Sequence, residues 1–402
     1  MVNYSKERIL LPRVIYGNRG DILSRWGMLN GLSAIGKNDI HVFAHQAGDL
    51  PSKMRNSFNP YGKYHNIMLS HMAKSELRNA DRIFWGGGLD ITDESSKAKL
   101  LYLLATFSQY KLIGKEIYCV FQGAGPLKTS IGRILAKQVL QKVTHFVARD
   151  KYTYDLVQNL NPQMKITLAG DAIFFPGFEQ QIAEQKTEHT ISHYLNNDGG
   201  PTIAINLRRW FHFSSDLIPF QLAKRRYETR GLENMNKLLM FYIDLVQKLR
   251  GRFNANILLI SAYNPGVYSW EDDVHWLEEV KQSFIQDDKV RIVNEPLDMI
   301  NYLSLMSKID LAISMRLHTS LTALRFGNPA VNISYSPKGV NVFHALGLEE
   351  NAFEINNILF DNSPLWNRVV GILENRLMNK EIVQRSVDQI MIKNMEKLES
   401  LF

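Results

Sequence analysis

The chain has 402 residues, with 47 Lys and Arg against 40 Asp and Glu, a formal net charge of +7, and 45% hydrophobic and 22% charged residues. That length exceeds one small core and fits two domains of ordinary size, while the composition excludes a disordered chain. The positive surplus favours anionic partners such as phosphates or a membrane surface; scattered basic residues, with only short clusters such as Lys224-Arg225-Arg226, disfavour nucleic acid.

The polar start, Met1 to Arg8, leads straight into a strand and does not read as a signal peptide. No apolar run approaches the length of a membrane span, so the expected location is the cytoplasm, with peripheral contact at the inner face of the cytoplasmic membrane. In the first half, strands are predicted at Ile9–Tyr16, Ile40–Ala44, Arg82–Trp85, Glu116–Gln122, His145–Ala148 and Lys165–Leu168. Helical patterns fill the gaps, as at Leu100–Tyr110 and Thr129–Gln141. Cys119, the single cysteine, excludes an intrachain disulfide and a thiolate-rich metal site and fits a reducing compartment. From Phe178 to Gly200 the chain turns polar and ends in Gly199-Gly200-Pro201, the expected linker.

The second half repeats the rhythm with strands at Thr202–Leu207, Asn256–Ser261, Arg291–Val293, Leu311–Ser314 and Ala330–Ser334. Leu232, Met235, Leu239, Tyr242, Leu245 and Leu249 hold one face of a long helix, and a helical pattern runs from Leu365 to Leu401. Alternating strands and helices predict an α/β protein with two Rossmann-like domains facing a cleft. The expected boundaries are 1–177, a linker at 178–200, 201–362, and a C-terminal helical segment at 363–402.

Open α/β sheets bind ligands where strands end, so residues at strand exits are the site candidates. Gly17-Asn18-Arg19-Gly20-Asp21 follows the first strand; its glycines permit a tight turn and close approach, and Asp21 can cap the helix, although such a turn needs no ligand. Gly86-Gly87-Gly88 lets backbone reach the cleft, and Asp93 beyond it reads either as a general base towards a hydroxyl or as a helix cap. Gln122-Gly123-Ala124-Gly125-Pro126 shapes a cleft wall. Arg208 and Arg209 end a strand and point in opposite directions if it continues, so one of them could clamp an anion. Arg316 and His318 stand at another exit, just before a helix whose N-terminus attracts anions. A fixed cation beside an imidazole suits an acidic substrate that must also receive a proton. No histidine pair has the helical spacing and third ligand of a metal site: His41 and His45 alternate in a strand, and His189 and His193 lie in the linker.

Taken in order, Gly17-Asn18-x-Gly20-Asp21, Gly86-Gly87-Gly88-x4-Asp93, Gln122-Gly123-x-Gly125-Pro126, Arg149-Asp150, Leu207-Arg208-x-Trp210, Arg316-Leu317-His318 and Ser334-Tyr335-x-Pro337-Lys338 resemble the polysaccharide pyruvyl transferase family. The resemblance implies a fold similar to the B-type (GT-B) glycosyltransferases, with the C-terminal helix crossing back to the first domain. It also implies metal-independent transfer of the enolpyruvyl carbons of phosphoenolpyruvate onto two hydroxyls of a sugar. That reaction forms a pyruvate ketal, releases phosphate, and needs no cofactor beyond the donor substrate.

On this reading Arg208, Arg316 and Lys338 hold phosphoenolpyruvate, His318 protonates its methylene carbon, and Asp93 takes the hydroxyl proton. Gly17, Asn18, Asp21, Gly87, Gly88, Gln122 and Gly123 line the cleft on the acceptor side. The acceptor would be a saccharide or glycan precursor of the cell envelope, lipid-linked, nucleotide-linked or free. Ile22 and Ser336 stand where the family often has acidic residues, which bears on the acceptor more than on the reaction. A nucleotide-sugar glycosyltransferase of the same fold is the alternative enzyme, but no acidic residue lies between His318 and Pro329 to hold a donor ribose. A non-catalytic saccharide- or phosphate-binding protein would leave the pairing of Arg316 with His318 unexplained.

Overall fold

In the computed structural model, residues 7–15, 17–44, 50–51, 58–60, 71–94, 96–184, 191–195, 199–210, 232–263, 273–293 and 295–402 are described. Tyr16, His45, His189 and Lys224-Arg225-Arg226 lie outside them. Two parallel sheets organise these residues. The first has seven strands in the order β3-β2-β1-β4-β5-β6-β7, formed by Phe58–Pro60, Ile40–Ala44, Ile9–Ile15, Arg82–Ile91, Ile117–Ala124, His145–Ala148 and Ile166–Leu168. The second has six, β10-β9-β8-β11-β12-β13, formed by Val290–Val293, Asn256–Ile260, Thr202–Asn206, Leu311–Ser314, Ala330–Ser334 and Ala352–Glu354. In both, the order reverses beside the first strand of the half. The resulting crevices lie between β1 and β4 and between β8 and β11, where open sheets bind ligands.

The strands are apolar runs buried on both faces, as parallel sheets require, and helices cover them. On one face of the first sheet lies α1 (Arg19–Ala34). On the other lie α2 (His71–Asn79), α3 (Ala98–Leu112), α4 (Ser130–Leu140) and α5 (Lys151–Leu160), whose Leu77, Leu103, Phe107, Val139 and Val157 join one core. A short α6 (Phe178–Glu184) and a 3-10 turn at Ser192–Tyr194 occupy the region expected to be linker. The second sheet carries α7 (Leu232–Phe253), α8 (Val274–Gln282), α9 (Met299–Ser307), α10 (Leu317–Arg325), α11 (Pro337–Ala345) and α12 (Ile355–Phe360).

Three expectations are corrected. The strand expected at Arg82–Trp85 continues to Ile91, because pairing with β5 carries the three glycines into the sheet, with a register shift between Leu89 and Ile91. The edge strands β3 and β13 were not anticipated; three residues are too few to show a period. The C-terminal helical segment is two helices, α13 (Ser363–Glu374) and α14 (Arg376–Glu399), parted at Asn375.

The chain does cross back. Val387, Ile390 and Leu398 of α14 enter the core built around α1, and each fully buried aliphatic side chain there contributes about 1.5–3 kcal/mol. Asn394 fixes the register: its carbonyl oxygen accepts from Gly170 N at 2.7 Å and its amide donates to Asp171 O at 2.9 Å. The halves also meet at Arg19, whose backbone N–H donates to Ala262 O (2.9 Å) and whose guanidinium donates to Ser261 O (2.7 Å) while stacking on Tyr302.

Candidate active site

On the first half, α1 starts directly from the exit of β1. Asn18, not Asp21, is its N-cap: the Asn18 side-chain oxygen accepts from Asp21 N at 2.7 Å and its amide donates to the Asp21 carboxylate at 2.9 Å. Gly17 supplies the left-handed turn, at φ +101°. Gly20 is required by packing, since a Cβ there would stand 2.4 Å from His318 Cβ and 2.6 Å from its Nδ1. Three other glycines make room for arginines, Gly88 and Gly123 for the guanidinium group itself. A Cβ on Gly87 would lie 2.9 Å from Arg25 Cγ, one on Gly88 1.9 Å from Arg13 Nη1, and one on Gly123 2.6 Å from Arg149 Nη2. Arg13 donates to Gly87 O and pairs with Asp90 at 3.0 Å, and Asp90 also holds Lys99 at 3.0 Å.

On the second half, His318 is in the first turn of α10 and reaches across to the first. Its Nε2 is 3.0 Å from Ser24 Oγ and 3.4 Å from Asp171 Oδ2. Ser24 Oγ donates its own proton to Asp171 Oδ1 at 3.1 Å, so it accepts from Nε2–H; the other ring nitrogen lies on the Gly20 side. Arg149, buried beside Gly123, pairs with Asp150 at 3.2 Å and with Asp171 at 3.5 Å. Lys338, in the first turn of α11, closes a small pocket where the two halves meet. Leu89, Arg149, Asp150 and Tyr152 line one side of it, and Pro337 and Lys338 the other.

Opposite charges set the protonation of this cluster. Burial acts to raise the Asp171 carboxyl, but His318, Arg149 and the Ile173 N–H outweigh it and hold it well below the usual carboxylate range. Burial likewise opposes ionisation of Asp21, which Arg13, Arg25, His318 and Lys338 together keep below its ordinary value. Lys338 shifts the other way: burial, with Arg149 adding, lowers it to about 7 against the pull of Asp21, Asp171 and Asp150. A lysine poised near neutrality that shares a pocket with Arg149 can bind an anion and exchange a proton.

Of the residues singled out from sequence, Asp21, Gly87, Gly88, Gly123, His318 and Lys338 are brought together around this cluster. Gln122 is fully buried behind it, 3.5 Å from Asp90. Asp93 is not among them. It is fully buried and its carboxylate accepts from Lys128 N (2.7 Å), Thr129 N (2.9 Å) and Thr129 Oγ1 (2.6 Å), which ties it to the chain entering α4, whose N-cap is Thr129. Arg316 is also committed. It forms a two-pronged pair with Asp273 (3.1 and 2.7 Å) and lies over Tyr263, its position further tied through Asn206. The expected alternation of Arg208 and Arg209 does not apply, because β8 ends at Asn206; Arg208 is buried and donates to Tyr335 Oη at 2.8 Å.

Arg13, Ser24, Arg25 and Asp171 were missed. Arg13 was visible as a lone cation inside an apolar strand, and Gly170-Asp171 follows β7 as Gly20-Asp21 follows β1. Ser24 and Arg25 sit one helical turn beyond Asp21, on the face α1 turns to the cleft. Among the described residues, no three His, Cys, Asp or Glu side chains gather as a metal centre would.

Known proteins share the fold, and others share sequence along most of the chain. The UDP-GlcNAc 2-epimerase of Neisseria meningitidis, solved with UDP-GlcNAc, superposes with a TM-score of 0.55 at 12% identity, over 98% of this chain and 99% of that one. HepE of Anabaena, solved with UDP, gives 0.55 at 10% identity with the same coverage. At such identities these establish a GT-B-like fold and nothing further. The amylovoran biosynthesis protein AmsJ of Erwinia amylovora is 23% identical over 317 residues, 78% of this chain and 70% of that protein. The polysaccharide pyruvyl transferase family matches residues 18–337, from the Asn18 cap to the Pro337 that opens α11; the chain belongs to that family.

Proposed function

We propose that this transferase moves the pyruvyl carbons of phosphoenolpyruvate onto two hydroxyls of a saccharide precursor, forming a cyclic ketal and releasing phosphate. The observation that carries the reading is that Asp171 joins His318 to Arg149, and that Arg149 and Lys338 line one pocket between the two sheets. Phosphoenolpyruvate carries a carboxylate and a phosphate, and Arg149 and Lys338 offer cations to it, with the N-terminus of α11 adding unpaired N–H groups. Arg208 and Arg316 shape the second-half wall, each oriented by a partner on its own sheet.

Ser24 and Asp171 hold Nε2 of His318, so the proton available for transfer is that of Nδ1 in the imidazolium. Protonation of the methylene carbon makes it a methyl group and leaves an oxocarbenium-like centre at the enol carbon. The first hydroxyl adds there, and its proton returns to the imidazole. The second hydroxyl then displaces phosphate, which departs with the remaining proton. Asp21, whose carboxylate feels the charges of His318 and Lys338, would receive an acceptor hydroxyl.

The test is phosphate release from phosphoenolpyruvate by purified protein, with and without lipid-linked and soluble sugar acceptors. Acceptor-dependent release with a pyruvate-sized mass gain on the sugar is expected. No binding of phosphoenolpyruvate at all would overturn the reading.

A further inference from the structure

Large apolar side chains are exposed most densely on one surface. Of the fourteen exposed among the described residues, six lie on or at the ends of α3 and α4: Leu101, Tyr102, Leu112, Ile113, Ile131 and Ile134. The helical step places them. Leu100, Leu103, Phe107 and Tyr110 of α3 are buried against the sheet, and the stripe Leu101, Ala105, Ser108, Leu112 runs on the opposite side. In α4, Gly132, Ala136 and Val139 are buried, and Ile134 stands outermost, with Ile131 one turn before it. Leu112 is 88% exposed, Ile131 59% and Ile134 58%, so neighbouring side chains do not cover them.

The chain runs β4-α3-β5-α4-β6 in one direction along the sheet, which puts both helices on the same face. They pack side by side, and their outer stripes form one surface. Its charge is one-sided. Between Ser96 and Ala148 the only acidic residue is Glu116, against Lys97, Lys111, Lys115, Lys128, Arg133, Lys137 and Lys142, with Lys99 held by Asp90 and Lys128 paired with Glu94. No helix of the described residues is long and apolar enough to cross a membrane.

We propose that the outer face of α3 and α4 docks the protein on an anionic lipid bilayer. Leu101, Leu112, Ile131 and Ile134 would enter the headgroup boundary, Tyr102 would sit at its polar edge, and the surrounding cations would meet lipid phosphates. A second copy of this chain suits the surface less well, because two such cationic faces repel. The site gives the docking a use. Both helices begin at the strand exits, and Gly125 and Pro126, which line the pocket, lie only a few residues ahead of α4. A lipid-carried sugar would therefore reach the cleft along this surface. What the docking serves rests on the pyruvyl-transfer reading; whether the face binds lipid does not.

The experiment is co-sedimentation of the full chain with vesicles of phosphatidylcholine alone and of phosphatidylcholine with an equal part of phosphatidylglycerol. Binding to the anionic vesicles is expected, weakening as salt rises. The double variant Leu112→Glu/Ile134→Glu should bind at least about tenfold less, with its melting temperature and its phosphate release on a soluble acceptor unchanged. A milder pair, Leu112→Ser/Ile134→Ser, should show the same loss in smaller degree and covers the case of a misfolded glutamate variant. Absence of binding by the wild type, or equal binding by the variants, overturns the proposal. A wild-type dimer that the variants convert to monomers in light scattering also overturns it, by assigning the face to self-association. Lipid binding that the variants lose supports the docking even if no acceptor releases phosphate, a result that counts against the reaction alone.

Discussion

Strand exits of the first sheet are glycine-rich and crowded with guanidinium groups, and Arg13, Arg25 and Arg149 occupy the space that side chains on Gly88, Gly87 and Gly123 would fill. Exits of the second sheet have few glycines and, around the Arg316–Asp273 pair, are knitted by side-chain amides and hydroxyls. Asn206 donates to Ile260 O and Asp273, Asn332 donates to Ser314 O, and Ser334 donates to Asn332. A charge network tolerates no missing partner, because each lone buried charge costs several kcal/mol. An amide and hydroxyl ladder holds geometry at lower electrostatic cost. The first half therefore sets the field of the site, and the second presents His318 and Lys338 to it.

The largest effect that could break this division of labour is on His318. His318→Ala should lower turnover about 10²- to 10⁴-fold, the usual worth of a proton donor, with phosphoenolpyruvate binding retained in calorimetry. Gly20→Ala should approach the same loss without touching the histidine's identity, because its Cβ displaces the ring. Wild-type turnover in a folded Gly20→Ala protein would separate α1 from the catalytic geometry.

Next in size is Asp171. Removing its charge leaves Arg149 short of a partner and should cost Asp171→Asn about 3 kcal/mol in denaturant unfolding. The folded carboxyl lies below its unfolded value of about 3.9, so its contribution is complete above that pH and is lost as pH falls through the folded value. The variant should show a shallower loss of stability in acid than the wild type.

Asp93→Ala sharpens the contrast between a structural carboxylate and a base. It should cost about 1–3 kcal/mol, because Lys128 N and Thr129 N ahead of α4 lose their acceptor, with turnover close to wild type. A collapse of turnover at unchanged stability would restore Asp93 as a base.

The smallest effect concerns Lys338. Its folded value is lowered from 10.5 to about 7, so between those limits the unfolded chain holds a proton the folded one lacks, and stability rises with pH. Lys338→Met should lack that rise; an identical pH slope in the two proteins would remove Lys338 from the buried network.

Much of the architecture was legible because parallel strands buried on both faces write themselves as apolar runs, and β2, β6, β11 and β12 were bounded to the residue. The edge strands escaped because three residues carry no periodic signal. Within the site, glycines at strand exits and the spacing of Arg316 and His318 were readable, since close approach and helix starts leave local marks. Ser24 and His318, 294 residues apart, left no such mark.

By itself, the sequence determined where the candidate residues lie along the sheets: Gly20-Asp21, Arg316-Leu317-His318 and Pro337-Lys338 each follow an apolar run that forms a buried strand, and Gly86-Gly87-Gly88 continue one. Only the tertiary structure decided which carboxylate serves which group. Asp93 turned inward to the backbone that enters α4, Asp273 took Arg316, and Asp171 went to His318. The physical reason is direction. A residue's place on a strand exit follows from its neighbours in sequence. Where its side chain points depends on sheet register, on the shift between Leu89 and Ile91, and on how the two sheets meet.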